Sequence, residues 1–314
     1  MKTPLTTPIV DAHAHLWLRQ EAEIDGQHVR ALAHNRSRSE FLGEPEVQML
    51  PPFMIDGRNT AEVFLSNMDY AQVSAAVITQ ELIDGFQNDY LHEVARRWPD
   101  RFFVFGMCDY RRPGFCEEAE QLMDRGFRGI KIPAARLIGR DWRVRLNSDE
   151  MMRMFRRMEE RGVLLGIELA DGDAQTGELR EVIESCPQLT VVIGHFGMVT
   201  RPRWMEQIRL ARYPNVYIES GGITWLFHSE FYPYPSAVRA IREAADEVGI
   251  DRLMWGSDYP RTITAITYRM SYDFLVGHPL LTPDEQALFL GGNARRVFGF
   301  GELPLLPYIR NMSE

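Results

Sequence analysis

Short apolar runs rich in β-branched and aromatic residues alternate with stretches of helical periodicity from near the start of the chain almost to its end. That alternation is the pattern of parallel β/α units. The runs predict eight strands: Ile9–His15, Ser74–Thr79, Arg101–Cys108, Arg128–Ile132, Val163–Leu169, Leu189–His195, Asn215–Ser220 and Arg252–Asp258. Eight is the strand number of the parallel α/β barrel. Between the strands, Leu179, Val182, Ile183 and Cys186 fall at helical spacing and Pro187 ends the turn. Val238, Ile241, Ala245 and Val248 make a second stripe, with Ser236 placed to cap it and Gly249 at the left-handed position that closes a helix. Met151, Met154, Phe155 and Met158 repeat the pattern and predict outer-layer packing.

One stretch breaks the alternation. Leu16 to Arg58 is a long polar excursion with Pro45, Pro51 and Pro52, inserted directly after the first strand. Loops of that length are uncommon unless they have a function, and loops that follow barrel strands surround the active site. The stretch is therefore expected to be a lid or a subunit contact, its Arg30, Arg36 and Arg38 serving as solvated surface or ligand contacts. Gly291-Gly292-Asn293 reads as a turn before a helix. There is no GxGxxG, GxxxxGK[ST] or GxSxG motif, and His92-Glu93 lacks the second histidine of an HExxH helix.

Composition narrows the function. The 314 residues are 45% hydrophobic and 25% charged, and 35 Lys+Arg against 44 Asp+Glu give a net charge of −9. A dedicated nucleic-acid binder would need clustered cations, so nucleic acid and anionic membrane surfaces are poor partners. No apolar run approaches the ~20 residues of a membrane span, and Met1-Lys2-Thr3-Pro4-Leu5 lacks the apolar region of a secretory signal. A cytoplasmic, soluble protein is expected. Cys108, Cys116 and Cys186 have no metal-finger spacing and read as inert buried thiols.

The chemistry lies at strand ends. Asp11-Ala12-His13-Ala14-His15 closes the first predicted strand, and the two-residue period puts His13 and His15 on one face, about 6.5–7 Å apart along the strand. The sixth strand ends on His195 and the eighth on Asp258. C-terminal strand ends of a barrel converge on one mouth, where two or three imidazoles and a carboxylate make a normal shell for Zn²⁺ or a similar divalent ion with one open position. Each residue alone could equally hold a loop by hydrogen bonds.

Four stretches, Asp11-Ala12-His13-Ala14-His15, Gly194-His195-Phe196-Gly197, Gly256-Ser257-Asp258-Tyr259-Pro260 and the tail Leu290 to Gly299, resemble the amidohydrolase superfamily. The nearest likeness is to its amidohydrolase-related lactonases and decarboxylases. The resemblance implies an α/β fold, a (β/α)8 TIM barrel forming one domain over residues 1–314 with an inserted loop or lid at 16–58 and C-terminal helices. It implies that His13 and His15 are the first-strand metal pair, and that Asp258 binds metal, moves a proton, or does both. His195 would be a ligand or polarise the substrate. The histidine that many metal-dependent members carry on the fifth strand is missing from Gly166-Ile167-Glu168-Leu169-Ala170. Glu168 stands there instead, as an oxygen ligand, as a base or substrate contact without metal, or as part of a structural network. Zinc or manganese is the expected ion, and metal-free operation is the lactonase-like alternative.

Substrate contacts are expected from Lys131, Arg261, His228, Trp225 and Tyr259. Lys131 ends a buried strand, where an ammonium needs an anion; that anion is a substrate or Glu168. Arg261 can grip a carboxylate through two nitrogens. A hydrolase opening a small carboxylated lactone or related carbonyl compound is the leading expectation, with Asp258 and His195 catalytic. A metal-dependent decarboxylase of an aromatic or unsaturated acid is the second, and a barrel that has lost catalysis the third. The partner is a small anionic molecule. Dimers are common for such barrels, but no interface motif is readable.

Overall fold

The computed structural model describes residues 5–32, 38–139, 142–310 and 312; Arg36 of the excursion lies outside them. The first strand, β1 (Ile9–His15), is buried along its whole length. The excursion then folds into four strands, β2 (Glu21–Ile24), β3 (Gln27–Ala31), β4 (Arg38–Phe41) and β5 (Glu44–Gln48). These pair antiparallel in the order β2-β3-β4-β5. The expected loop is thus a small sheet, because antiparallel neighbours need only tight turns to satisfy a polar segment's backbone. Asp25-Gly26 and Leu42-Gly43, all at positive φ, make two of those turns.

The remaining strands are β6 (Val73–Thr79), β7 (Phe102–Val104), β8 (Gly106–Met107), β9 (Gly129–Ile132), β10 (Leu164–Ile167), β11 (Val191–Ile193), β12 (Val216–Glu219) and β13 (Leu253–Met254). They form two parallel sheets, β1-β6-β7 and β13-β12-β11-β10-β9-β8. The predicted third strand is split at Phe105, whose N–H still donates to Ile78 O at 2.9 Å. The predicted eighth strand ends at Met254. Beyond it the chain stays beside β1: Ala12 N–H donates to Trp255 O at 2.9 Å, Asp258 N–H to His13 O at 2.8 Å and His15 N–H to Tyr259 O at 2.8 Å.

Helices α1 (Ala61–Tyr70), α2 (Asn88–Arg97), α3 (Phe115–Asp124), α4 (Asp149–Glu160) and α5 (Thr176–Ser185) follow successive strands, and α6 (Pro235–Val248) precedes β13. The predicted stripes are buried on α4, α5 and α6, Val248 excepted at the partly buried end of α6. Ser236 lies inside α6, which starts with Pro235 at its first turn, so the serine is not its cap. Gly291 and Gly292 do not turn the chain; Leu288–Gly292 is a π-helical stretch that runs directly into α7 (Asn293–Phe298). None of the helices among the described residues is long and apolar enough to cross a membrane.

Two apolar layers position the site. Val10, Ala12, Ala75, Val77, Phe103, Phe105, Val192 and Met254 pack together and against Phe298, Phe300 and Leu303 from the C-terminal segment. A larger layer lies between sheet and helices. Where β1 pairs with β6, Asp11 faces Ala76 but Ala14 already faces Ile78, so β1 carries one extra residue between them. Such a bulge breaks the strict alternation. It is how Ala12 packs in the inner layer while His13, its neighbour, also turns into the site.

Candidate active site

His13 and His15 meet tip to tip. His13 Nδ1 is 2.7 Å from Glu219 Oε1 and His15 Nδ1 is 2.6 Å from Asp84 Oδ2. A carboxylate can only accept, so both Nδ1 atoms carry hydrogen and both Nε2 atoms are left as the functional ends. Those two Nε2 atoms are 3.0 Å apart. Asp258 Oδ1 lies 3.1 Å from His15 Nε2 and 3.6 Å from His13 Nε2, and among the described residues it has no well-formed hydrogen bond although it is buried. Its other oxygen accepts from Trp225 Nε1 at 2.7 Å.

Two imidazole lone pairs and an unpartnered carboxylate oxygen pointing at one spot are stable only with a cation, a proton or an ion, between them. The donor set fits a divalent ion held by His13, His15 and Asp258, whose donor atoms all lie within 4.8 Å of one another. A second group, His13, Glu168 and His195, meets the same limit. The carboxylates behind the two histidines match the outer partners that orient metal-binding imidazoles. Without an ion, burial opposes charge on His15, but Asp84 and Asp258 outweigh it and raise its pKa; on His13 burial prevails over Glu219 and lowers it.

Glu168 follows β10 directly, at the end of an apolar strand. Its Oε1 receives the Lys131 ammonium and lies 3.4 Å from His195 Nε2 and 4.0 Å from His13 Nε2. Burial favours its neutral form, yet Lys131 and His195 overcome this and hold the carboxyl well below the usual range. Burial likewise opposes charge on Asp258, whose pKa is lowered by His15 and Arg261. His195 is pushed up to about 9, since the Glu168 carboxylate outweighs its burial. Its Nδ1 lies 2.8 Å from Gly221 O, which leaves Nε2 for the cavity.

The backbone serves the same arrangement. His195 and Asp258 both sit at positive φ, +56° and +59°. Such conformations are costly for residues with a Cβ and concentrate where a side chain must be aimed. Gly221 and Gly256 give the His13–Glu219 pair its room. A Cβ on Gly221 would stand 2.7 Å from the His13 ring, and one on Gly256 would stand 2.8 Å from Glu219 Oε2.

A cavity of about 450 Å³ opens over this cluster. His15, Glu168, His195 and Asp258 line it, with apolar walls from Ile83, Leu169, Met198 and Trp225 and with Arg136 and Arg261 as cations. Phe41, Gln48 and Met49 of the inserted sheet complete it. A second cavity of about 510 Å³, lined by Leu5, Ile9, Val276, Leu281 and Leu290, has His278 as the only titratable group among its described residues and lies away from the strand-end cluster.

Sequence reasoning anticipated the five residues that converge here, His13, His15, Glu168, His195 and Asp258. Trp225 and Arg261 also line the cavity, Arg261 with its NH2 on Asp84 Oδ1 at 2.8 Å. Lys131 does not line it; the lysine is buried behind Glu168 as its ion-pair partner. Tyr259, expected at the substrate, is fully buried, with its ring stacked on Phe64 at 4.2 Å in the outer layer. His228 is exposed on the seventh loop, its Nδ1 2.8 Å from Trp225 O, and is not part of the cavity wall. Both follow from local geometry: the residue after an inward-facing Asp258 points outward, and the short helix at Ile223–Leu226 spends its inward face on Trp225. Sequence reasoning missed Glu219, Asp84 and Arg136. Glu219 ends an apolar strand just as Asp258 follows one, so the same rule could have found it; Asp84 and Arg136 sit in short loops with no such signal.

A family model described as Amidohydrolase matches residues 10–300, and the chain belongs to that family. No curated protein sequence matches it. Among solved structures, one similar fold is a probable 2-pyrone-4,6-dicarboxylic acid hydrolase from Acinetobacter baumannii with citric acid bound. It has TM-score 0.66 and 20% identity, covering 94% of this chain and 100% of that one. An amidohydrolase from Burkholderia multivorans with bound zinc has TM-score 0.66 and 18% identity, covering 95% and 100%. A 5-carboxyvanillate decarboxylase from Novosphingobium aromaticivorans, complexed with manganese and a nitrobenzoic acid, has TM-score 0.57 and 18% identity, covering 77% and 81%. Family and fold imply a TIM barrel, and hydrolases and decarboxylases both occur among these structures.

Proposed function

We propose that this protein is a metal-assisted hydrolase that opens a small, carboxylated lactone or a related carbonyl compound. The observation that carries the reading is Asp258 Oδ1, buried without a hydrogen-bond partner among the described residues and facing the Nε2 atoms of His13 and His15. Those three residues would hold the ion, zinc or manganese, with Glu168 and His195 beside it. A bound divalent ion supplies Lewis-acid polarisation of a carbonyl and lowers the pKa of water. Asp258, pinned at Oδ2 by Trp225, takes the proton of the attacking water at Oδ1. Water oxygen bonds to the carbonyl carbon, the ring C–O bond breaks, and the departing oxygen takes a proton from His195 Nε2. Water is consumed and a hydroxy acid results.

A second reading, decarboxylation of an aromatic acid, is favoured by the apolar walls at Phe41, Leu169, Met198 and Trp225, which suit a flat ring. There His195 would protonate carbon as carbon dioxide leaves. Elemental analysis of the purified protein for Zn, Mn, Fe, Co and Ni, followed by acid release from carboxylated lactones and carbon dioxide release from hydroxybenzoates, separates the two. Bound metal with acid release supports hydrolysis; carbon dioxide without acid release replaces it with the second reading. Activity in metal-free protein that added metal leaves unchanged moves the carbonyl's polarisation to His13, His15 and His195 themselves.

A further inference from the structure

The two guanidinium groups of the cavity are not equivalent. Arg261 is largely buried; its NH2 donates to Asp84 Oδ1 at 2.8 Å, its NH1 lies 3.7 Å from Asp258 Oδ1, and its guanidinium carbon stands 5.9 Å from the Trp17 ring. Asp84 is also the partner of His15. The charge of Arg261 thus balances two buried carboxylates that would otherwise be costly to keep ionised, and little of it remains for a ligand.

Arg136 is different. Among the described residues it has one side-chain contact, from Nε to Glu81 Oε1 at 3.4 Å. That is long for a charge-assisted bond, and it leaves the two-nitrogen face of the fork, the one that matches a carboxylate, without a described partner. Burial, reinforced by Glu168 and Asp84, pushes the Glu81 carboxyl up against the pull of Arg136 and Arg261. The side chain of Arg136 is 36% exposed. Its backbone, however, is fixed. The turn Ala134–Leu137 is tied by Ala135 N–H to Glu168 O at 3.0 Å and by Gln175 Nε2 to Ala134 O at 2.9 Å.

Its place in the fold gives it a role. The turn follows β9, and β9 lies four strands from β13 in the sheet order β13-β12-β11-β10-β9. Arg136 lines the cavity beside Glu168, to whose carbonyl its own turn is tied, while the segment that presents Asp258 follows a strand four places away.

We propose that Arg136, rather than Arg261, binds the carboxylate of the substrate, and that it selects anionic compounds over neutral ones with the same ring. The inference rests on the proposed function for its notion of a substrate, but its test does not need turnover. The probes are coumalate, a lactone carrying a carboxylate, and its methyl ester, which has the same ring without the charge. Calorimetric titration of the metal-loaded protein is expected to show coumalate binding at least roughly tenfold more tightly than the ester, the worth of one two-point ionic contact.

In Arg136→Ala that ratio falls towards one, and in Arg136→Lys, which keeps charge but loses the fork, it lies between. A thermal melt checks that both variants fold, as expected for a half-exposed side chain. A preference that survives Arg136→Ala, a wild type that does not distinguish the probes, or no binding of coumalate at millimolar concentration overturns the proposal. Coumalate bound through Arg136 but not opened, with no acid release from any lactone, overturns the hydrolase reading and leaves the carboxylate site standing.

Discussion

At the buried end of the cavity each functional side chain is held by another group: His13 by Glu219, His15 by Asp84, Glu168 by Lys131 and Asp258 by Trp225. At the rim, Phe41 and Met49 come from the inserted sheet and Arg136 from a short turn, and the side-chain tie described for Arg136 is a single long contact. The first region uses rigid strand ends and paired charges, so a change in any member strands a buried partner. The second rests on local structure whose side chains can be exchanged at small cost to the fold. On the proposed function, reaction and selection fall to different parts of the chain.

The comparison breaks most visibly if the buried end proves dispensable. His13→Ala combined with His15→Ala is expected to lower kcat/KM by at least about a thousandfold. The circular dichroism spectrum should stay that of a folded protein with a lowered melting temperature, because both rings lie outside the two apolar layers but their loss leaves Glu219 and Asp84 buried without their histidines. Retained activity would remove the cluster from the chemistry, and an unfolded double variant would make it structural.

The supporting charges come next. Glu219→Gln and Asp84→Asn should each weaken zinc or manganese binding roughly ten- to a hundredfold, the usual effect of losing the carboxylate behind a metal-binding imidazole. Competition with a chelator of known affinity measures it. Lys131→Ala, by contrast, leaves the Glu168 carboxylate buried with only the imidazoles of His195 and His13 beside it and should cost about 3 kcal/mol of stability, read as a fall in the denaturation midpoint at constant slope.

The two regions were also unequally readable from sequence. Strand ends are marked: a run such as Leu189 to Ile193 announces its direction, and a polar residue at its end has few places to point but the mouth. His195 and Asp258 are legible that way, His13 and His15 by their two-residue spacing at the end of the first strand, and Glu168 by standing where the resembled family often carries a histidine. The inserted segment gave no such mark, since its pairing depends on turns at Asp25-Gly26 and Leu42-Gly43 and its polar strands lack strong alternation. The sequence reads it as a loop serving as a lid or a subunit contact; it is a four-stranded sheet whose Phe41, Gln48 and Met49 line the cavity. Tyr259 fails for another reason. Proximity in sequence to Asp258 suggested proximity in the site, whereas the left-handed backbone at Asp258 and the pairing of Tyr259 beside β1 leave the tyrosine ring in the outer layer on Phe64.

At the rim, Phe41→Ala tests whether the inserted sheet selects the substrate. Phe41 is partly exposed and lines the cavity, so the truncation should raise KM about five- to tenfold with little change in kcat or melting temperature. A matching fall in kcat would give the insertion a part in the reaction itself and blur the division between the two regions.

Tyr259→Phe should do least of all. The ring's packing on Phe64 and beside Tyr268 is kept in the variant, and the hydroxyl's described contact is with Asn67 Nδ2 at 3.5 Å, too long to contribute much. Burial raises the phenol's pKa, so it has no accessible charge to lend the site. Kinetic constants equal to wild type and a stability change of under about 1 kcal/mol are expected. A loss of activity from this one oxygen atom would mean that the outer layer behind Asp258 feeds into the reaction, and the boundary drawn at the strand ends would have to move outward by a residue.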